Sequence, residues 1–169
     1  MNYAQIRDMD IVNGEGIAVS LFVSGCPHHC EGCFNPETWD FDSGKKWTKE
    51  IEDEFIELCN KDYVSCVSLL GGEPLAQKDI LGLLHRIKTE VGKPIYVWTG
   101  YTAEYVCQNK SLELLCINYL IDGKFEEDKK DVKLRLRGSS NQHIWHVIHD
   151  EKEKTNYLFD VTEEMGWRE

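Results

Sequence analysis

The chain has 169 residues, of which 41% are hydrophobic, and it carries a formal net charge of −11. This length favours one domain with a packed core, and the acidic charge is unlike that of proteins that bind nucleic acids. No apolar run approaches the roughly 20 residues of a membrane-spanning helix, and residues 1–8 lack the apolar centre of a signal peptide. We therefore expect a cytoplasmic protein that binds neither nucleic acid nor membrane.

Strand and helix patterns alternate through the first half of the chain. Residues 17–23 form a near-continuous apolar run, which is typical of a strand buried on both faces. A helix is expected to follow with Thr48 at its N-cap. Its apolar stripe consists of Ile51, Phe55, Leu58 and Cys59. The run 63–70 predicts a second strand, which leads directly into Gly71-Gly72-Glu73-Pro74.

The same alternation continues to residue 122. A second helix is expected before Gly92 and Pro94, with an apolar stripe of Ile80, Leu84, Ile87 and Val91. Strands are predicted at 95–99 and 119–122, and short helices at 103–107 and 112–116. This order indicates an α/β fold with a mostly parallel sheet. Because eight strand–helix units need about 250 residues, we expect a partial, open β/α barrel.

The rest of the chain is more polar. Residues 124–133 are dense in charges of both signs and predict a solvated loop. Bulky residues at 143–149 and 157–161 predict a C-terminal hairpin. We therefore divide the chain into a main domain, residues 1–142, and a C-terminal extension, residues 143–169, that packs on it.

Three cysteines follow the first predicted strand at Cys-x3-Cys-x2-Cys spacing: Cys26, Cys30 and Cys33. Thiolates suit both iron–sulfur clusters and zinc. Three thiolates on one loop can hold three corners of a four-iron cluster, which leaves the fourth iron open for chemistry. We expect buried free thiols at the remaining cysteines, which are Cys59, Cys66, Cys107 and Cys116.

Zinc is the competing interpretation of this loop. A structural zinc site usually takes four protein ligands, and His28 or His29 could supply the fourth. Both histidines lie between the first two cysteines, where reaching the same ion is sterically awkward. A zinc-binding interaction module therefore remains an alternative, and metal analysis would separate it from a cluster protein.

The sequence after the second strand is a candidate ligand loop. Glycines let a backbone approach a ligand closely, and ligands of parallel sheets bind at the carboxyl ends of the strands. A plain turn is the alternative for Gly71 and Gly72. For Phe34, which follows the third cysteine, the alternative is an ordinary core aromatic residue.

Several further blocks of sequence, together with the cysteine spacing, resemble one known family. The chain is similar to the radical S-adenosylmethionine superfamily and, within it, to the proteins that activate anaerobic ribonucleoside-triphosphate reductases. The blocks occur in the order of that family, at residues 10–14, 22–26, 33–35, 38–39, 71–75, 98–101, 122–125 and 137–142.

The resemblance implies two cofactors. A [4Fe-4S] cluster would be bound by Cys26, Cys30 and Cys33, and S-adenosylmethionine would chelate the open iron. The other cofactor contacts that it implies are Gly32, Cys33 and Phe34 at the adenine, and Gly71, Gly72 and Glu73 at the methionyl ammonium group. Residues 99–101, 122–123 and 137–142 are weaker candidates for binding the cofactor or a partner.

The resemblance also implies an activity and partners. One electron would cleave S-adenosylmethionine to a 5′-deoxyadenosyl radical, which removes a hydrogen atom from a glycine of the anaerobic reductase and leaves a glycyl radical. The enzyme would be an oxidoreductase that uses an electron donor such as reduced flavodoxin, with residues 1–142 as a radical S-adenosylmethionine domain of the open-barrel type. Another glycyl-radical enzyme or a small molecule could be the substrate instead.

Overall fold

The computed structural model describes residues 1–150, 152 and 155–167. Its strands are β1 (Asn2–Asp10), β2 (Ala18–Ser24), β3 (Lys45–Lys46), β4 (Cys66–Gly71), β5 (Ile95–Trp98), β6 (Tyr119–Asp122), β7 (His143–Asp150) and β8 (Thr155–Asp160). In this part of the chain they form one open sheet in the order β3-β1-β2-β4-β5-β6-β7-β8. The central pairings from β2 to β6 are parallel, and the outer pairings are antiparallel. The fold is therefore α/β with a mixed sheet whose centre is parallel.

Helices connect the parallel strands. They are α1 (Lys49–Cys59), α2 (Ile80–Arg86), α3 (Ala103–Asn109) and α4 (Ser111–Leu114), and α5 (Thr162–Met165) follows β8. The hydroxyl of Thr48 accepts a hydrogen bond from the amide of Ile51 at 3.4 Å, which confirms the predicted N-cap. One turn of π-helix (Ile87–Val91) extends α2 and ends at Gly92, whose φ of +68° is a left-handed conformation that suits glycine. No helix among the described residues is both long and apolar enough to cross a bilayer.

The two faces of the sheet are buried by different partners. Successive side chains of β5 point to opposite faces of the sheet. Ile95 and Val97 lie in the larger core under the helices, and Tyr96 lies in a smaller core on the opposite face. Leu136 and the partly buried Met165 of α5 pack in that smaller core. Every residue of β2 is buried, as its apolar run predicts.

Some elements differ from the sequence-based expectations. Strand β1 was not predicted, and the second strand begins at Cys66, because residues 61–63 still form a turn. Three of the four remaining cysteines are buried as expected, but Cys107 is exposed. The C-terminal hairpin is confirmed by the antiparallel pairing of β7 with β8, and part of its tip lies outside the described residues.

The charged segment at residues 124–133, which we call the strap, is only partly the solvated loop that was predicted. Most of its charged side chains are exposed. However, Phe125, Lys130 and Val132 line a pocket at the carboxyl ends of the parallel strands. The strap is fixed to the next segment by a bridge between Lys130 and Ser139.

Candidate functional site

A pocket of about 590 Å³ lies at the carboxyl ends of the parallel strands. It gathers most of the predicted site residues, namely Cys26, Cys30, Cys33, Phe34, Gly71, Gly72 and Glu73. Gly32 does not line the pocket, although Cys33 beside it does. The strand ends, the loop after β2 and the strap therefore enclose one cavity large enough for a small-molecule ligand.

The cysteine loop is closed on itself by backbone hydrogen bonds. The amide of Gly25 donates to the carbonyl of Thr38 at 2.7 Å, and the amide of Cys26 donates to the carbonyl of Trp39 at 3.0 Å. Within the loop, the amide of Cys33 donates to the carbonyl of Cys30 at 3.2 Å. The block at 38–39 thus holds the two ends of the loop together.

Backbone amides are directed at the sulfur atoms of the loop. Burial raises the pKa of the Cys26 thiol, and hydrogen bonds from the amides of His28 and His29 oppose that rise. Burial likewise raises the pKa of the Cys30 thiol, against a hydrogen bond from the amide of Phe125. The sulfur of Cys33 accepts the amide of Asn35 at 3.4 Å. Such N–H donors stabilise thiolates, the form in which cysteine binds metal.

This donor set fits a [4Fe-4S] cluster. Three partly buried thiols with amide donors open on one pocket, and a cluster held by three thiolates keeps one iron free. In the described part of the chain, no three His, Cys, Asp or Glu side chains are grouped so as to hold a single metal ion. A cluster does not need such a group, because each thiolate binds a different iron atom.

Neither histidine of the loop is free to complete a zinc site with the cysteines. His28 Nε2 lies 3.0 Å from a carboxylate oxygen of Glu73. The ring of His29 stacks on that of Trp39 with 4.8 Å between the centroids. The zinc alternative would therefore require His28 to leave Glu73 or His29 to leave Trp39.

The two glycines after β4 are required by the packing of neighbouring strand ends. Gly71 has φ = +99°, and a Cβ there would lie 2.8 Å from Cα of Phe22. A Cβ on Gly72 would lie 2.6 Å from the carbonyl oxygen of Gly25. Larger residues would push β4 away from β2 and from the start of the cysteine loop. These glycines therefore keep the loop after β4 in contact with the cysteine loop.

Glu73 is a buried carboxylate, 1% exposed, whose oxygens are occupied by protein groups. One oxygen accepts hydrogen bonds from the amide of Leu75 at 3.0 Å and the hydroxyl of Thr99 at 2.9 Å. The other accepts the amide of Gly100 at 2.7 Å and lies beside His28. The backbone of this loop, rather than its carboxylate, is therefore the part available to a cofactor.

Phe34 lies at the rim of the pocket and is 58% exposed, which excludes the alternative of a core aromatic residue. Lys130 Nζ of the strap lies 4.8 Å from the centroid of its ring. Gly32 has φ = +68°, and a Cβ there would come 2.6 Å from a carboxylate oxygen of Glu127. The strap therefore packs directly on the cysteine loop.

The block at 137–142 braces the strap. The hydroxyl of Ser139 accepts the amide of Glu126 at 3.1 Å, and the side-chain amide of Asn141 donates to the carbonyl of Lys124 at 2.9 Å. The Gln142 side chain donates to the carbonyl of Gly123 at 2.8 Å. These polar side chains form hydrogen bonds with the protein backbone, and this structural role accounts for the block at 137–142.

The weaker candidates at the strand ends also have structural partners. Asp122 accepts the amide of Ala103 at 2.6 Å, at the start of α3, and the amide of His143 at 3.2 Å. Thr99 supports Glu73. Sequence reasoning did not assign the strap residues that line the pocket; Phe125 belongs to the family block at 122–125, and the only signal for Lys130 and Val132 was their position after β6.

Known proteins resemble this chain over most of its length. The profile of the family described as "4Fe-4S single cluster domain" matches residues 12–145. The chain is 46% identical over 153 residues to the anaerobic ribonucleoside-triphosphate reductase-activating protein of Escherichia coli K12, covering 87% of this chain and 99% of that protein. A protein of the same name from Vibrio cholerae is 41% identical over 155 residues, covering 88% of this chain and 97% of that protein. The protein of that name from phage T4 is 40% identical over 150 residues, covering 86% of this chain and 94% of that protein.

Proposed function

The chain belongs to the family of anaerobic ribonucleoside-triphosphate reductase-activating proteins, and from that premise we propose that it generates a glycyl radical on such a reductase. It is an iron–sulfur activating enzyme that uses a [4Fe-4S] cluster and S-adenosylmethionine, as members of this family do. The observation that carries the proposal is the convergence of the three-cysteine loop and the Gly-Gly-Glu loop on one pocket.

In this proposal, Cys26, Cys30 and Cys33 hold three irons of the cluster. When bound, the cluster and S-adenosylmethionine supply one-electron chemistry, the reductive cleavage that gives a 5′-deoxyadenosyl radical. The amides directed at the three sulfurs support this assignment, because hydrogen bonds to the sulfurs tune a cluster's reduction potential.

Cofactor contacts are proposed on both sides of the cysteine loop. The backbone of Gly71, Gly72 and Glu73 would accept the methionyl ammonium group, and Phe34 with the backbone of Gly32 and Cys33 would contact the adenine. The occupied carboxylate of Glu73 supports a backbone role there. The exposed ring of Phe34 at the rim supports a stacking role.

The rim of the pocket is suited to a protein substrate. The side chains of Val12, Phe34 and Val132 line the pocket and are each more than half exposed, so they leave apolar surface available to a partner beside it. We propose that the glycine-bearing loop of the reductase docks on these three residues and excludes water from the radical chemistry.

The finer assignments of fold, location and electron donor belong to the same proposal. The parallel order β2-β4-β5-β6 supports a partial β/α barrel of the radical S-adenosylmethionine type. Residues 1–142 would form the activating domain, with residues 143–169 as an extension packed on it. A reducing cytoplasm suits free thiols, and the electron donor would be a protein such as reduced flavodoxin.

The test is anaerobic reconstitution of the full chain with iron and sulfide, followed by incubation with reductant, S-adenosylmethionine and the anaerobic reductase of the same organism. We expect the doublet of a glycyl radical in the EPR spectrum of the reductase. Samples without S-adenosylmethionine, or with Cys30→Ala, serve as controls. A reconstituted protein that cleaves S-adenosylmethionine but gives no doublet would contradict the proposed substrate.

A further inference from the structure

The imidazole of His28 joins the cysteine loop to the ends of two parallel strands. Its side chain is only 8% exposed, and Nε2 lies 3.0 Å from Oε2 of Glu73, the distance of a hydrogen bond in which the ring N–H donates to the carboxylate. The ring packs edge-on against Tyr101, with 4.6 Å between the centroids. A Cβ on Gly100 would collide with the ring, so a glycine at that position makes room for it.

From these contacts we infer that His28 is a positioning residue that couples the cysteine loop to the Gly-Gly-Glu loop. The inference rests on the proposed function, in which one loop holds the cluster and the other holds the methionyl end of S-adenosylmethionine. A molecule that binds the open iron and the second loop at once requires a fixed spacing between the two loops.

On the cysteine side, fixing the ring of His28 fixes the backbone beside a sulfur. The amides of His28 and His29 both donate toward the thiol of Cys26. Since His28 is two residues from Cys26 and two from Cys30, the hydrogen bond from its ring to Glu73 restrains the segment that carries the backbone donors and the first two sulfurs.

On the other side, Glu73 transmits the position of His28 to the ends of β4 and β5. Its carboxylate also binds Thr99 and the amide of Gly100, at the end of β5. Its own amide donates to the carbonyl of Gly25 at 2.8 Å, at the start of the cysteine loop. The same carbonyl accepts the side-chain amide of Gln77 at 3.0 Å. The two loops are thus joined at the carbonyl of Gly25 and, separately, through the His28 side chain.

The neighbouring histidine provides a matched control. His29 lies in the same loop, but its φ is +48° and its ring stacks on Trp39, on the side that closes the loop. No hydrogen bond connects His29 to Glu73 among the described contacts. A substitution of His29 therefore perturbs the cysteine loop without touching the link to the second loop.

The first experiment measures hydrogen–deuterium exchange of the full chain without iron, under anaerobic and reducing conditions. Removing a hydrogen bond to a charged group changes an equilibrium constant by about tenfold. We therefore expect His28→Ala to speed amide exchange about tenfold at residues 26–35 and also at residues 72–77. His29→Ala should affect residues 26–35 alone, and His28→Gln, whose side-chain N–H can reach Glu73, should restore slow exchange at 72–77.

The second experiment loads each variant with iron and sulfide and measures binding of S-adenosylmethionine by equilibrium dialysis. We expect the iron content of His28→Ala to equal that of the unsubstituted chain and its affinity for S-adenosylmethionine to fall about tenfold. His28→Gln should recover most of that loss, which a merely structural role would not produce.

Several outcomes would overturn the inference. Unchanged exchange at 72–77 in His28→Ala would do so, as would equal effects of His29→Ala and His28→Ala. Loss of the far-UV circular dichroism signal in both His28 variants would make His28 a residue of general stability instead. Because the exchange experiment uses neither cluster nor reductase, its result is independent of whether the proposed function holds.

Discussion

The ring of Phe34 packs against the ring of Phe125 with 5.0 Å between their centroids, so the residue that follows the third cysteine meets the strap. Gly138 lies beside both rings, and a Cβ there would stand 2.9 Å from Cε2 of Phe34 and 2.9 Å from Cδ2 of Phe125. Three segments that are distant in sequence therefore meet at the rim of the pocket, on the side assigned to the adenine.

The first prediction concerns this contact. Gly138→Ala should force the two rings apart, because a Cβ at 2.9 Å is too close to ring carbons on both sides. We expect the affinity for S-adenosylmethionine, measured by equilibrium dialysis, to fall several-fold while the iron content stays unchanged. Gly82→Ala is the control, since its Cβ would meet no atom within 4 Å on α2 and alanine should stabilise that helix by about 1 kcal/mol. Equal affinities in both variants would refute the prediction.

The second prediction separates cluster binding from folding. Cys30→Ala should abolish cluster binding and reductase activation and leave the sheet intact, because the cysteine loop lies outside both hydrophobic cores. Iron and sulfide analysis with far-UV circular dichroism tests both parts. Cys107→Ala, which removes an exposed thiol on α3, should retain the cluster. A collapse of the circular dichroism signal in Cys30→Ala would show that the loop is needed for the fold.

Part of this site could be predicted from the sequence because it depends on local patterns. The buried run of β2 and the cysteines directly after it are adjacent in the chain, as are β4 and Gly71. Since the carboxyl ends of parallel strands meet at one edge, the two loops were expected to face the same ligand. The pocket that contains both agrees with that reasoning.

The remainder depends on contacts between residues far apart in the sequence. Glu73 is held by groups on the cysteine loop, on its own loop and directly after β5, and no periodicity indicates that a loop carboxylate will be buried among four partners. The strap contains enough charge to indicate a solvated loop, yet Phe125 and Val132 line the pocket. Strand β1 was missed because its exposed edge is polar and breaks the apolar pattern.

The third prediction concerns the pH dependence of stability. Arg86 binds carboxylate oxygens of Glu52 at 2.9 Å, Asp53 at 2.5 Å and Glu90 at 2.7 Å, which ties α1 to α2. Hydrogen bonds from Lys49 and then Arg86 lower the pKa of Asp53, and a hydrogen bond from Arg86 lowers the pKa of Glu90. Carboxylates with a lowered pKa stabilise the fold above their ordinary pKa values, and this contribution is lost as the pH falls through the lowered values.

Arg86→Ala should therefore lower the Tm by a few degrees at pH 7, and the difference from the unsubstituted chain should shrink as the pH falls toward 3. Thermal unfolding followed by circular dichroism at both pH values measures this. Lys45→Ala, which removes an exposed lysine of β3, should change the Tm little at either pH. A Tm difference that grows as the pH falls would contradict the lowered pKa values of these carboxylates.

The last prediction tests the docking of the reductase at the rim. Val132 is 77% exposed on the strap and lines the pocket, so an aspartate there would place a charge where the proposed partner loop buries apolar surface. Val132→Asp should lower the rate of glycyl-radical formation about tenfold, and this loss should exceed any loss in affinity for S-adenosylmethionine. Leu112→Asp is the matched control, because Leu112 is 58% exposed on α4 and does not line the pocket. Equal activation by the two variants would mean that the reductase binds elsewhere on the chain.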